Sequence, residues 1–211
     1  CGAGIDLMLA ADRVGPEGRV IGVDDTPAML DKARLNIQAR GYRQIELRAG
    51  RIESLPVDSG SVDWVISNCV INLSADKPQV FAEIARVLRP GGRMMVSDIV
   101  ADRLPGWMRR SAKLTSACVA GAISEAEYLR GLDQAGLGDA SVVDRLYYEP
   151  AQLAVVVRDS LPAVLARSFV GCLVAGATRR LTRSISSRFW SARIHARKPL
   201  AAPAVPQQES P

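Results

Sequence analysis

Two periods of hydrophobic residues alternate along the first hundred positions. Short apolar runs occur at Arg19-Val20-Ile21-Gly22-Val23-Asp24, Ile45-Glu46-Leu47-Arg48-Ala49, Val62-Asp63-Trp64-Val65-Ile66-Ser67 and Arg93-Met94-Met95-Val96-Ser97-Asp98. Each has the length and β-branched content of a strand. The Val62–Ile66 run reads as buried. Between the runs, apolar residues recur at helical spacing. One helix follows Cys1-Gly2-Ala3-Gly4-Ile5-Asp6 and runs to about Arg13, before a Gly15-Pro16-Glu17-Gly18 turn. A second starts at Thr26-Pro27, an N-cap and a first-turn proline, and continues through Met29, Leu30, Ala33 and Ile37. A third covers Asp76 to Leu88, with Val80, Phe81, Ile84 and Leu88 on one face, and Pro90-Gly91-Gly92 ends it. This alternation predicts an α/β domain whose mostly parallel sheet is covered on both faces.

The pattern then loosens. A helix is expected from Trp107 to Ala117, another from Ser124-Glu125-Ala126-Glu127 to about Ala135, and a strand from Ser141 to Tyr147. Leu161, Leu165, Phe169, Cys172 and Leu173 fit one helix face, and Ser191–Arg197 fits a closing strand. The Pro/Ala/Gln-rich end reads as a disordered tail. The expected division is a domain over 1–148, a C-terminal extension over 149–198 and the tail over 199–211. The chain opens inside a glycine motif with no strand before it. It therefore reads as N-terminally truncated, with its first strand, central to the sheet, missing.

Composition narrows the function classes. A 211-residue chain that is 48% hydrophobic can bury a core, and a formal net charge of +5 is modest. The excess comes from a basic stretch, Arg179 to Lys198. It reads as a solvated surface, with a membrane-surface or partner helix as the alternative. The main body is balanced, which gives no basis for nucleic-acid binding. No apolar run reaches the roughly 18 residues of a membrane span. Cys1, Cys69, Cys118 and Cys172 are widely spaced and there is no signal peptide, which suits reduced thiols in a cytoplasm. A weak similarity links Cys118-Val119-Ala120-Gly121-Ala122 to Cys172-Leu173-Val174-Ala175-Gly176-Ala177, and small apolar residues recur this way by chance.

The candidate chemistry lies at the strand ends. Gly2 and Gly4 let a ligand approach the backbone before a helix with free N–H groups. Asp24, about 20 residues on, can accept from the hydroxyls of a ribose. Leu7 stands where a dinucleotide fingerprint would carry its third glycine, so a nucleoside without a pyrophosphate fits better. Gly50-Arg51-Ile52-Glu53-Ser54-Leu55-Pro56 follows the second strand. As plain structural residues, Asp24 and Glu53 would be capping or solvated acids. Ser67-Asn68-Cys69-Val70-Ile71-Asn72-Leu73-Ser74-Ala75-Asp76 follows the third strand, where α/β enzymes place their reaction sites. Cys69 there is either a thiol ligand or a small buried hydrophobe.

That decapeptide, with Cys1–Asp6, Gly22-Val23-Asp24, Arg89-Pro90-Gly91-Gly92-Arg93 and Cys118–Ala122, resembles the arsenite S-adenosylmethionine methyltransferases over about residues 1–148. The resemblance implies a Rossmann-like class I methyltransferase fold with S-adenosyl-L-methionine as cofactor. Gly2 and Gly4 would admit the methionine moiety, Asp24 the ribose, and Ile52 and Glu53 would flank adenine. Asn68 would sit beside the cofactor. Cys69 and Cys118 would be the catalytic pair that holds arsenic(III), a soft centre that prefers sulfur. The lone pair of arsenic would attack the methyl carbon in line, so positioning outweighs acid–base chemistry. Arsenic methylation and detoxification follow, with arsenite or its thiol conjugate as substrate, a thiol reductant as partner and a monomeric chain. The rival readings are a methyltransferase acting on carbon or oxygen of another small molecule, such as a quinone precursor, and a non-catalytic arsenite-binding remnant.

Overall fold

The computed structural model describes residues 1–102, 119–148 and 189–200. The expectations placed on residues 103–118, 149–188 and 201–211, Cys118 and Cys172 among them, lie outside the described residues. The order is α1 (Ile5–Val14), β1 (Val20–Asp24), α2 (Pro27–Ala39), β2 (Ile45–Ala49), β3 (Val62–Asn68) and a 3-10 turn (Ile71–Leu73). Then come α3 (Lys77–Val87), β4 (Leu88–Ala101), α4 (Glu125–Gln134), β5 (Gly138–Tyr147) and β6 (Phe189–Arg197). The predicted helices and strands among these residues are present to within a few positions.

Side-chain caps start α3 and α4, whereas α1 and α2 have none. The Asp76 carboxylate accepts from Gln79 N–H to cap α3. Ser124 and Glu127 form a reciprocal capping box on α4. Thr26 precedes α2 as expected but does not cap it. Its hydroxyl donates to Asp25 instead, at 3.1 Å, and only its carbonyl serves the helix.

The strands form two ladders. β1 and β2 pair in parallel. The second sheet has the order β3-β4-β6-β5, with β3 and β4 parallel and β6 antiparallel to both neighbours. Two cores match the two sheets. The smaller gathers Leu7, Met8, Ala11, Val20, Ala33 and Ile37. The larger packs Val80, Phe81 and Ile84 of α3 and Tyr128 and Leu132 of α4 onto Met94, Val96 and Val100 of β4.

Two expectations are corrected. The Val62–Ile66 run is not buried, and Trp64 and Ile66 are 47% and 55% exposed. Among the described residues β3 pairs only with β4. Nor does Pro90-Gly91-Gly92 stand as a turn ahead of the strand. β4 begins at Leu88, and its register jumps from Val62↔Leu88 to Trp64↔Arg93. Two steps on β3 thus oppose five on β4, and the surplus is a bulge containing Pro90, which has no N–H for the ladder. Gly91 takes φ 79°, a value that suits glycine.

Lys198 fastens this bulge. Its backbone N–H donates to Gly92 O at 2.8 Å, its own carbonyl accepts from Gly91 N at 3.0 Å, and its ammonium donates to Ala85 O and Leu88 O, each at 2.7 Å. These are carbonyls at the C-terminal end of α3, where a cation also complements the helix dipole. Lys198→Met removes these charged hydrogen bonds while keeping the stem. It should cost about 1–3 kcal/mol in denaturant unfolding and speed hydrogen exchange in the last turn of α3. An unchanged midpoint would show that the ammonium adds nothing there.

Candidate active site

The first half of the site is built on the glycine turn. Gly2 and Gly4 adopt φ 55° and 89°. Nothing lies within 4 Å of where a Gly2 Cβ would stand, while a Gly4 Cβ would press on Ala33 of α2 at 3.3 Å. Gly4 is therefore needed for packing, and Gly2 leaves open space before the α1 N-terminus. Asp24, at the C-terminal end of β1, faces this turn. Its Oδ2 accepts from the Cys1 nitrogen at 2.9 Å and from Gly2 N–H at 2.8 Å, and its Oδ1 accepts from Thr26 N–H at 3.0 Å. Burial raises this carboxyl, while the Gly2 and Thr26 N–H donors lower it, and it lies below its ordinary value. A carboxylate offers about four lone-pair directions. With the Gly2 and Thr26 N–H groups on two of them, Asp24 can accept a further donor.

The second half is the end of β3. Asn68 donates to Asp6 at 2.8 Å, which ties the end of β3 to the first turn of α1. Cys69 follows in a left-handed conformation, φ 54°, with its N–H bonded to Ser97 O at 2.9 Å. A non-glycine residue holds such a conformation only where its surroundings fix it, and it turns the chain sharply off the strand. Cys69 is exposed as a residue. Even so, the protein mass behind its thiol pushes the thiol up from its ordinary value, and the Asp98 carboxylate adds to that. Tyr148 feels the charge of the same thiol.

Ile52 and Glu53 reach the site from the loop after β2. Ile52 packs against the larger core. Glu53 accepts from the Ser74 hydroxyl at 2.6 Å, its backbone carbonyl accepts from Gln79, and the Ser74 bond leads the causes that hold its carboxyl low. Glu53 is thereby fixed to the decapeptide rather than left in solvent. Asp24, Asn68, Cys69, Ile52 and Glu53 lie at the strand ends or in the loops that follow them, and Gly2 and Gly4 lie just before α1.

Beneath the Cys69 turn lies a polar group that the sequence reading missed. Asp98 on β4 has no exposed surface, and burial pushes its carboxyl up to about 7. Its Oδ2 accepts from the Tyr128 hydroxyl at 3.3 Å, while its Oδ1 has no partner among the described residues. Asn72, 3% exposed, donates to Ile99 O at 2.6 Å, and its Oδ1 is also unpartnered. The signal was present in the alternation Met94, Val96, Asp98, Val100, which puts an acid on the inward row of the strand. Gly121 rests on this group, because a Cβ there would stand 2.0 Å from Asn72 O. Among the described residues no three His, Cys, Asp or Glu side chains are grouped to hold a metal ion.

A family model described as a methyltransferase domain matches residues 1–136. This chain belongs to the methyltransferase domain family. Its fold is the Rossmann-like fold of the class I methyltransferases. This methyltransferase domain is 47% identical over 136 residues to an arsenite methyltransferase of Halobacterium salinarum, an alignment covering 64% of this chain and 35% of that one. It is 33% identical over 107 residues to a demethylmenaquinone methyltransferase of Listeria welshimeri, covering 51% and 45%. The crystal structure of an arsenic(III) S-adenosylmethionine methyltransferase from Chlamydomonas reinhardtii superposes with a TM-score of 0.69 at 32% identity, covering 99% of this chain and 63% of that one. The chain thus spans about a third of the length of the curated arsenite methyltransferase it matches.

The buried acid gives the domain a testable pH dependence. A carboxyl at about 7 in the fold and 3.8 when unfolded holds a proton that the unfolded chain releases between those values. Stability should therefore fall as pH rises from about 4 to about 7 and level off above. Asp98→Asn should abolish that fall and raise stability at pH 8 by up to about 4 kcal/mol, read by urea unfolding at several pH values. A wild-type profile that is flat over this window would contradict the assignment.

Proposed function

We propose that this domain methylates thiol-bound arsenite with S-adenosyl-L-methionine. What carries the reading is the position of Cys69 in the turn that ends β3. Cys69 itself is exposed, with its backbone held in a left-handed turn by the Ser97 carbonyl. Cys69 and Cys118 would be the two thiols for a soft centre that binds two sulfurs. The similarity to two arsenic methyltransferases supports the same substrate.

The residues present suit the cofactor. The open space at Gly2 leaves the α1 N-terminus approachable, and Asp24 can take one more donor, as from a ribose hydroxyl. Ile52 and Glu53 would flank the adenine, and Asn68, anchored by Asp6, would border the cofactor's reactive end. When bound there, S-adenosylmethionine supplies an electrophilic methyl group to the arsenic lone pair. The protein's own part is to hold sulfur in place. A thiol pushed up by burial stays protonated at neutral pH. Each As–S bond then forms by condensation, the proton leaving with an arsenite hydroxyl as water, so no preformed thiolate is required. A thiol reductant would serve later cycles. Residues 1–148 would form the catalytic domain, 149–198 an extension whose last strand, β6, closes the sheet, and 199–211 a tail. No described helix is long and apolar enough to cross a membrane, and action as a cytoplasmic monomer in arsenic detoxification completes the reading.

The test is calorimetric titration with S-adenosylmethionine and then arsenite, alongside a methylation assay. Wild type should bind both, and Cys69→Ser should lose arsenite methylation while keeping cofactor affinity within about twofold. Binding of cofactor without arsenite would point instead to a carbon or oxygen acceptor, as in the quinone-precursor enzymes. Arsenite binding without cofactor would indicate a binding remnant. Gly121→Ala puts a methyl group against the Asn72 carbonyl and should cost about 1–3 kcal/mol in urea unfolding. An unchanged midpoint would show that the two segments shift apart freely.

A further inference from the structure

A tyrosine shares the edge of the sheet on which Cys69 stands. β4 and β5 both run antiparallel to β6, and β3 runs parallel to β4, so the C-terminal ends of β3, β4 and β5 lie together. Cys69 is the first residue past β3, and Tyr148 is the first past β5. Three strand spacings, about 14 Å in all, separate their backbones, and polar contacts cross that distance. The Cys69 N–H donates to the Ser97 carbonyl at 2.9 Å. The Ser97 and Ser191 hydroxyls stand 3.4 Å apart. Ser191 lies opposite Leu146, two residues before Tyr148, so strand alternation puts Ser191 and Tyr148 on one face. There the Ser191 hydroxyl is bonded to the Tyr148 phenol. Burial raises the phenol above its ordinary value, the Cys69 charge adds to this, and the Ser191 bond opposes it. Opposition of that sign marks Ser191 as the donor to the phenol oxygen. Tyr148 therefore accepts from Ser191 and offers its own O–H as a donor. Cys69 is exposed and Tyr148 partly so, and a ligand reaches both from solvent.

We propose that Tyr148 is a substrate-binding residue whose phenol O–H donates to an oxygen on arsenic once that arsenic is bound to Cys69. The proposal rests on the arsenite reading above, and it needs only this one thiol. The binding step is As(OH)3 plus the Cys69 thiol giving Cys69 S–As(OH)2 and water. An As–S bond forms, one As–O bond and the S–H bond break, and the thiol proton leaves in the water. Arsenic stays trivalent throughout. The hydroxyls left on arsenic carry lone pairs for the phenol to meet. A single As–S bond leaves its arsenic free to rotate, whereas a second contact from the far side of the sheet edge fixes its orientation. Ser191 and Ser97 are positioning residues in this arrangement. Ser191 fixes the phenol, and Ser97 joins Ser191 to the backbone of Cys69.

The experiment compares arsenite with dimethylarsinous acid, (CH3)2As–OH, as ligands of wild type, Tyr148→Phe and Ser191→Ala. Binding at Cys69 is taken as the part that Cys69→Ser loses. Both probes condense with a thiol, but the adduct Cys69 S–As(CH3)2 has no oxygen left for the phenol. The ratio of arsenite affinity to dimethylarsinous acid affinity should fall about threefold to tenfold in Tyr148→Phe, with the dimethyl probe itself unchanged. Ser191→Ala keeps the phenol and removes the donor that fixes it, so its ratio should fall in the same direction by less. That second variant carries the test if Tyr148→Phe does not fold. Equal loss of both probes would make Tyr148 a support of the Cys69 turn and overturn the proposal. Unchanged arsenite affinity in a folded Tyr148→Phe would overturn it too, and both results leave the arsenite reading intact. Failure of wild type to bind arsenite through Cys69 would overturn the proposal and that reading together.

Discussion

A carboxyl group with no exposed surface stands on the inward row of the longest strand, and the site is organised around keeping it there. An acid in the place of a valine is unfavourable in a core that otherwise runs Met94, Val96, Val100. The Tyr128 hydroxyl satisfies one oxygen and protonation lowers the remaining cost, which is why the group's proton affinity is raised so far. The same location brings the acid under the Cys69 turn. There the strand ladder ends, and the backbone twists into a left-handed residue that a regular strand would not accept. Core and site are thus not separable layers in this domain.

Placement of that turn depends on distant parts of the chain. Among the described residues β3 pairs only with β4, and it is linked toward α1 through the Asn68–Asp6 hydrogen bond. β4 in turn is fixed by β6, contributed from nearly one hundred positions further along the sequence. Lys198, just past β6, returns to the end of α3 and the bulge that begins β4. The loops after β1, β2 and β3 then carry the polar groups that a ligand meets, as expected at the strand ends of an α/β sheet.

Most of this architecture was legible from residue patterns. β1, β2 and α1 fell within one or two residues of their expected limits, because short apolar runs between glycine and proline punctuation admit few alternatives. The burial of β3 was misjudged, since an apolar run does not say whether both its edges are paired. The Pro90-Gly91-Gly92 segment reads locally as a turn, and only the partner strand reveals it as a bulge. Among site residues, Cys69, Asn68, Asp24 and the two glycines were found because they sit at strand ends or in a motif. Asp98 and Asn72 were quoted within a strand and a loop but given no role. Their significance comes from orphaned atoms, which exist only once the neighbours are placed.

The central claim is the proposal that the Cys69 turn presents sulfur to arsenic. Arsenic K-edge X-ray absorption on the arsenite-loaded chain tests it most directly, because the scattering shell counts sulfur and oxygen neighbours without any assumption about turnover. The account predicts a shell that contains sulfur. A shell of oxygen alone would contradict it, showing arsenite held without the thiols on which the whole reading depends.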